Sequence, residues 1–352
     1  MNSPFSDRGM ITDPNCFFGR AAETQKIFNA LAGPKPQCVS IIGERRIGRS
    51  SLLQHILRSY PQHLLQPDRY RFAYLDLARD TCGCPEQFYA EAAQAFGGNV
   101  TNKLSPQQFD DWLDNQNPQR AWWYIILLDE FNALQRRREQ FDDDFYDGLR
   151  SRANAGEITF VLASHIPLHE VALENNFSST FFGIFTPVDL NEFSHSEARE
   201  SILRPVTTPL RLEDFNAIRQ WVRDNDSGTY HPLKLNIAAD LVWQALPRPN
   251  YAQIKTEYEK DVAYAFGEAV HSARRRKKWW TGALSLWHGL VNSIHWVTGE
   301  KPYLILIPLL VLLLILCGII NWDQLRAVVL DWGGIPTLTP TPPASPLPTP
   351  TP

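Results

Sequence analysis

The chain has 352 residues, enough for one large domain or two small ones at roughly 100–200 residues each. It is 44% hydrophobic and 20% charged, so it can bury a proper core. Its net charge of −4, from 34 basic and 38 acidic residues, excludes a globally basic nucleic-acid binder but not a local basic patch. Five cysteines, irregularly spaced and with Cys317 in an apolar run, argue against a disulfide framework. Cys82-Gly83-Cys84 has no second His or Cys pair at useful spacing, so it reads as a loop with two thiols.

Met1 to Pro14 carries no signal-peptide core and is expected to fray. Phe17-Phe18-Gly19-Arg20 leads into an amphipathic helix with Ile27 and Leu31, which stops at Gly33-Pro34. Val39 to Leu53 then reads as a buried strand, a tight glycine loop and a helix start. From Gly43 to Ser50 the spacing is that of a phosphate-binding loop, G-x-x-x-x-G-K-[ST], with Arg49 at the lysine position. Gly43 and Gly48 let the backbone curl so that its N–H groups face phosphate oxygens. The helix beginning at Ser50 and Ser51 adds the partial positive charge of its N-terminus. Ile47 completes the loop. A cation beside it neutralises the β- and γ-phosphates, and the Ser50 hydroxyl is placed to ligand Mg²⁺.

Leu52, Leu53, Ile56 and Leu57 continue the loop helix. A strand is expected at Arg71 to Leu77 and a helix around Glu86 to Phe96, while residues 101–120 look polar and turn-rich. Trp122 to Leu128 is a near-continuous apolar run, as in a parallel strand covered on both faces. A helix with Phe145 and Leu149 follows, then a strand from Ile158 to Ala163 ending in Ser164; a fifth strand is read at Phe181 to Phe185. Strands alternating with helices predict an α/β domain with a parallel sheet.

Asp129-Glu130 ends the most apolar strand, where ligands bind in open α/β sheets. Asp129 is placed to hold hydrated Mg²⁺ with Ser50, and Glu130 to orient or deprotonate an attacking water. Ser164 is a candidate partner of the γ-phosphate or the water, and equally a plain turn serine. Together with the loop, the acidic pair points to a nucleotide–Mg²⁺ site, and the resemblance described next implies that the nucleotide is ATP.

The series F-x-G-R-x-x-E, I-x-G-x-R-R-x-G-[KR]-S-S-L-L, four hydrophobics with D-E-F, and V-L-A-S resembles AAA-type ATPases of the STAND and archaeal-ATPase group. These are P-loop NTPases, distant relatives of origin-recognition ATPases. Gly228-Thr229-Tyr230-His231-Pro232-Leu233-Lys234-Leu235 resembles their G-G-H-P-x-x-L lid motif. The likeness spans about Phe17 to Leu246. It implies a three-layer P-loop core at 16–190 after an N-terminal tail at 1–15, and a helical lid at 191–270. It also implies that Phe18, Gly19 and Arg20 lie near the adenine and that His231-Pro232 opens a lid helix over the base.

Two departures stand out. Arg49 is bulkier than lysine and holds its charge in a planar fork, so the expectation is nucleotide binding with slow or absent hydrolysis. Thr229-Tyr230 replaces the second glycine of the lid motif. Arg150, Arg152 and Arg204 are candidate arginine fingers, with surface ion pairing the blander role for each. In the lid, Ser194 and Glu197 form a capping box, and His195 and His231 read as cap or packing residues rather than metal ligands.

From Ala273 the composition changes. Arg274 to Lys278 is a basic run, and 279–297 carries four tryptophans and no acidic residue, Lys or Arg, so 271–301 reads as a basic, amphipathic juxtamembrane segment. Tyr303 to Trp322 has twenty residues without a charge, enough to cover about 30 Å of hydrocarbon, so 302–322 is read as one transmembrane helix. The excess of Lys and Arg upstream places the ATPase in the cytoplasm and the C-terminus outside. Residues 323–352 read as a disordered Pro/Thr-rich tail. The expectation is a membrane-anchored ATP-dependent signalling or assembly switch, with membrane lipid and an unidentified protein or a second copy as partners. An inactive nucleotide-binding scaffold is the alternative. DNA engagement is a weaker one, nucleic acid being an unlikely partner.

Overall fold

Residues 3–204, 210–224 and 226–267 are described in a computed structural model of the chain. Its sheet has five parallel strands: β1 (Val39–Ile42), β2 (Tyr70–Asp76), β3 (Trp123–Asp129), β4 (Ile158–Ser164) and β5 (Thr186–Asp189). Their spatial order is β2-β3-β4-β1-β5. Side chains along a strand alternate between faces. In β3, Tyr124, Ile126 and Leu128 pack with Phe88, Phe145 and Phe160, while Ile125 and Leu127 pack with Leu52, Ile56 and Val161 on the other side. Both faces are covered, which is why β3 reads as unbroken hydrophobicity.

Ten α-helices lie among the described residues. Around the sheet are α1 (Ala21–Leu31), α2 (Arg49–His63), α3 (Pro85–Ala95), α4 (Pro106–Gln116), α5 (Asp143–Ala155) and α6 (Leu168–Glu174). The other four, α7 (His195–Leu203), α8 (Leu212–Val222), α9 (Pro232–Gln244) and α10 (Tyr251–Phe266), share a separate core built on Ile202, Phe215, Ile218, Leu235, Ile237 and Val242. Ser194 and Glu197 close the expected capping box at α7.

Three expectations are corrected. Residues 101–120 contain α4, which opens with a capping box of Ser105 and Gln108 and buries only Phe109 and Leu113. Two buried positions in eleven residues leave the polar face to dominate the pattern. The fifth strand is not Phe181 to Phe185: Thr180–Gly183 is a 3₁₀ turn whose Phe181 and Phe182 fill the core, and β5 follows it.

The third correction concerns the N-terminal arm, which packs instead of fraying. Phe5 is buried in the core shared by α7 to α10. Burying one phenylalanine stabilises by about 1.5–3 kcal/mol. Ordering backbone costs about 1–2 kcal/mol per residue, so one anchor is not enough. Others are present: Arg8 pairs with Asp261 at 2.7 Å, and the Ile11 N–H donates to Ser51 Oγ at 3.0 Å.

No helix among the described residues is long and apolar enough to cross a membrane. The segments read as juxtamembrane, transmembrane and tail, from 271 onward, lie outside the described residues.

Candidate functional site

The strand register sets the site. Ile42 of β1 is level with Ser164 of β4, and Asp76 of β2 with Asp129 of β3, so the carboxyl ends open on one edge. The loop after β1 is held close: a Cβ on Gly43 would sit 2.8 Å from Leu190 O and 2.9 Å from Ile47 Cγ2. Ile47 is buried and pins the loop to the core. Gly48 caps α2 with φ 105°, a conformation L residues resist, and the space where a Cβ would go is open. The constraint at Gly48 is therefore backbone, while at Gly43 it is close approach.

Gly48, Arg49, Ser50 and Glu130 line a cavity of about 400 Å³ whose far wall is the N-terminal arm, from Asp7 to Ile11, and the start of α9. Pro232, Leu233 and Asn236 come from that helix. A smaller cavity of about 110 Å³ shares Asp7, Ile11 and Asn236 with it and is lined by Phe18 and Phe5. Ser50 opens onto the larger cavity with no hydrogen-bond partner among the described residues. Ser51 lines the same cavity, and its hydroxyl accepts from the Ile11 N–H at 3.0 Å, which holds the arm.

Asp129 is 4% exposed. Its Oδ2 accepts from the Tyr74 hydroxyl at 2.6 Å, and its Oδ1 from the Glu130 N–H at 2.9 Å. Each carboxylate oxygen keeps a lone pair, so the group can still hold a metal-bound water with Ser50. Glu130 has φ 51°, a strained value for a residue with a side chain. That kink turns its half-exposed carboxylate over the loop.

Arg49 is buried, and its guanidinium is used by the loop itself. It donates to the carbonyl oxygens of Gly43 and Glu44 and lies 3.8 Å from Glu130 Oε1. Burial works against its charge; Glu130 and then Asp129 support it. The planar fork thus spans from the loop carbonyls to the carboxylate expected to act on water.

Of the two readings of Ser164, its contacts fit the turn serine. Its hydroxyl is wholly buried, donates to Ile166 O at 2.6 Å and lies 3.0 Å from Asn132 Oδ1. One proton and a closed environment leave nothing for a γ-phosphate. Asn132, not singled out from sequence, takes its place at the edge of the site. Its Oδ1 also accepts from the His165 N–H at 2.9 Å, and its Nδ2 has no partner.

Arg20 lines neither of these two cavities. It sits at φ 63°, 3% exposed, and its guanidinium donates to Asn191 O at 2.5 Å, Ile47 O at 3.1 Å and Glu23 at 3.2 Å. It also lies 4.5 Å from the centre of the Phe193 ring. Gly19, at φ 71°, leaves room for the same ring: a Cβ there would meet Phe193 Cε1 at 3.0 Å. The pair forms a joint between the loop and the lid, and only Phe18 of the three lines a cavity.

His231 caps α9, its Nδ1 accepting from the Leu233 N–H at 3.2 Å. Burial, with Lys234 adding, pushes its imidazole down to about 4, which keeps it neutral. Its Nε2 faces the Arg45 backbone without closing a hydrogen bond of normal geometry. The start of α9 therefore lies against the loop after β1. Of the candidate fingers, Arg150 pairs with Asp147 on its own helix, and Arg204, the C-cap of α7, pairs with Glu200 of that helix. Arg152 is buried rather than on the surface, gripping Asp110 at 2.5 and 2.9 Å.

The family model described as "AAA domain" matches residues 34–171, which include the loop, Asp129 and Glu130. No curated protein matches the chain significantly. Among solved structures, a Walker-type ATPase of Pyrococcus abyssi is 16% identical with a TM-score of 0.57, covering 94% of this chain and 93% of that one. The Aeropyrum pernix ORC2 protein, in ADPNP-ADP complexes, is 13% identical with a TM-score of 0.56, covering 73% and 70%. The Aeropyrum pernix ORC1 protein, in complex with DNA, is 15% identical with a TM-score of 0.51; the match covers 70% of this chain and 66% of that protein's length. With a parallel sheet, a glycine loop entering α2 and an acidic pair at the end of β3, the chain has the fold of a P-loop NTPase, and its residues 34–171 are similar to AAA domains.

Proposed function

We propose that the chain is an ATP-dependent switch of the AAA type, akin to the STAND group, in which nucleotide at the phosphate loop sets the position of the helical lid. The observation that carries this reading is Arg20. One buried guanidinium holds Ile47 O in the loop and Asn191 O at the root of the lid. A ligand that moves the loop therefore loads the lid. His231, the cap of α9, faces the same loop.

Ser50 and Asp129 would hold Mg²⁺, which supplies charge neutralisation at the β- and γ-phosphates. Glu130 would orient the attacking water or take its proton. The lid would report to a protein partner or a second copy. Anchoring by 302–322, with lipid contact from the basic run at 274–278, belongs to the same proposal and rests on the sequence alone. Calorimetric titration of the purified full-length chain with ATP and Mg²⁺ tests the first step. Saturable binding that is lost in Gly48→Val supports the switch, and no binding sinks it. Release of the chain from membranes by alkaline carbonate would remove the anchored part.

A second reading is favoured by Arg49. Its guanidinium is spent on the loop carbonyls and lies beside Glu130, which suits a nucleotide-binding scaffold without turnover. Phosphate release that disappears in Glu130→Gln excludes that scaffold. DNA returns as a partner to be tested, because the Aeropyrum pernix ORC1 protein was solved in complex with DNA. Salt-dependent retention of a duplex by the full chain would support it.

A further inference from the structure

The N-terminal arm is tied to two parts of the molecule and borders the cavity between them. On one side Phe5 is 4% exposed in the core of α7 to α10, and the Arg8 guanidinium pairs with Asp261 of α10 at 2.7 Å. On the other, the Ile11 N–H donates to Ser51 Oγ of α2 at 3.0 Å, and the Met10 sulfur lies 3.7 Å from the Tyr74 hydroxyl of β2. Between the outermost anchors, Asp7 to Ile11 line the cavity of the phosphate loop. Burying Phe5 alone would leave residues 7–11 free to leave the cavity. The ties to α2 and β2 keep them there.

The linkage is short. Even fully extended, the chain from Phe5 to Ile11 spans at most about 20 Å. It is also bent, because the Gly9 N–H donates to Asp7 Oδ1 at 2.8 Å. Moving α7 to α10 away from α2 therefore draws the arm taut and breaks an anchor once the slack is used. The anchors differ in strength. Phe5 is enclosed, whereas the Arg8 and Asp261 side chains are 37% and 33% exposed. An ion pair that open to water is weak and screened by salt, so it yields while Phe5 stays seated.

We propose that the arm is a strap that limits how far α7 to α10 open from the phosphate loop, and so gates nucleotide exchange at that cavity. The gate rests on the nucleotide reading of the loop; the restraint does not. Asp261 does not line the cavity, so its effect on exchange travels through Arg8 and the arm.

The test compares the full-length chain with Asp261→Asn, Asp261→Glu and Phe5→Ala. Hydrogen exchange without nucleotide reads the restraint. Asp261→Asn should raise exchange at the Ile11 amide and in the first turn of α9 by about twofold to fivefold. Phe5→Ala should raise it by about tenfold or more, and Asp261→Glu, which keeps the pair, should restore the parent values. Stopped-flow binding of a fluorescent ADP analogue reads the gate. In Asp261→Asn, association and dissociation should both quicken by about twofold to fivefold, leaving Kd within about twofold of the parent. Faster dissociation alone would make the arm a nucleotide contact, and faster association alone would make it a plug. Either result overturns the strap. So does Asp261→Asn indistinguishable from the parent in both measurements, and that outcome leaves nucleotide binding and the switch untouched. The Asp261 pair carries the test by itself if Phe5→Ala does not fold. Raised hydrogen exchange in a chain that binds no ADP keeps the restraint and removes the gate together with the switch.

Discussion

The Tyr74 hydroxyl donates a 2.6 Å hydrogen bond to Oδ2 of Asp129, across the neighbouring strands β2 and β3. Tyr74 also lies 3.7 Å from the Met10 sulfur, so the arm reports on the same carboxylate. Burial and the Asp129 carboxylate push the phenol far above its usual range, so it stays a donor at any working pH. Such partners fix the orientation of a metal-holding carboxylate. Tyr74→Phe should weaken the Mg²⁺ dependence of ATP binding by about tenfold. Its cost in stability should be only about 1 kcal/mol. Titrating Mg²⁺ at fixed ATP checks this; an unmoved midpoint would show that Asp129 is oriented by the Glu130 N–H alone.

Whether turnover is slow or absent should depend on Arg49. Lysine cannot span the Gly43 and Glu44 carbonyls and Glu130 at once, because it offers a single compact ammonium. Arg49→Lys should therefore release Glu130 and follow the charge on the phosphates, raising phosphate release by about tenfold. Adding Glu130→Gln should lower the rate again by about a hundredfold or more. Steady-state phosphate release is the measurement. A lysine variant no faster than the parent would mean that the arginine is not what limits the reaction.

Arg20 joins loop and lid, and its removal leaves the carbonyls of Ile47 and Asn191 without their donor. Arg20→Ala should destabilise the chain by about 3 kcal/mol in urea unfolding. Arg20→Lys keeps the charge, loses the fork and should cost less. The lysine variant also separates coupling from folding. In the parent, ATP should slow hydrogen exchange in α9; in Arg20→Lys that response should shrink although ATP still binds. Equal protection in both proteins would place the joint elsewhere.

Much of this architecture was legible in the residues. β3 announced itself because both of its faces are buried, and the loop because glycine spacing there is set by backbone geometry. The lid helices were legible through Ser194 and Pro232, whose capping roles are local. The failures were tertiary. Helix α4 hid behind its polar face, and Phe181 and Phe182 were apolar because they fill the core from a turn, not because they form a strand. Ser164 and Asn132 are the clearest case. Both are small polar residues near the end of a buried strand, and only the direction of one hydroxyl separates a ligand contact from a latch. Phe5, Met10 and Ile11 were the available signs of the ordered arm, apolar residues in a polar stretch. The partners of Phe5 come from the lid, far along the chain.

The neutral state of His231 makes stability depend on acid in a defined window. Burial, then Lys234, lowers its folded value from the usual 6.5 to about 4. The folded chain therefore binds fewer protons than the unfolded chain between those limits, and stability falls as pH drops from about 6.5 to about 4. For a residue this enclosed the loss by pH 4.5 is about 2–3 kcal/mol from His231 alone. His55 and His165 are also lowered by burial and act in the same direction. His231→Asn keeps an acceptor for the Leu233 N–H and removes the titration. Urea unfolding at pH 7 and pH 4.5 should show a large difference for the parent and a difference smaller by about 2 kcal/mol for the variant. Equal pH sensitivity in the two would mean that the imidazole is solvated in the folded chain and that α9 does not start pressed against the loop.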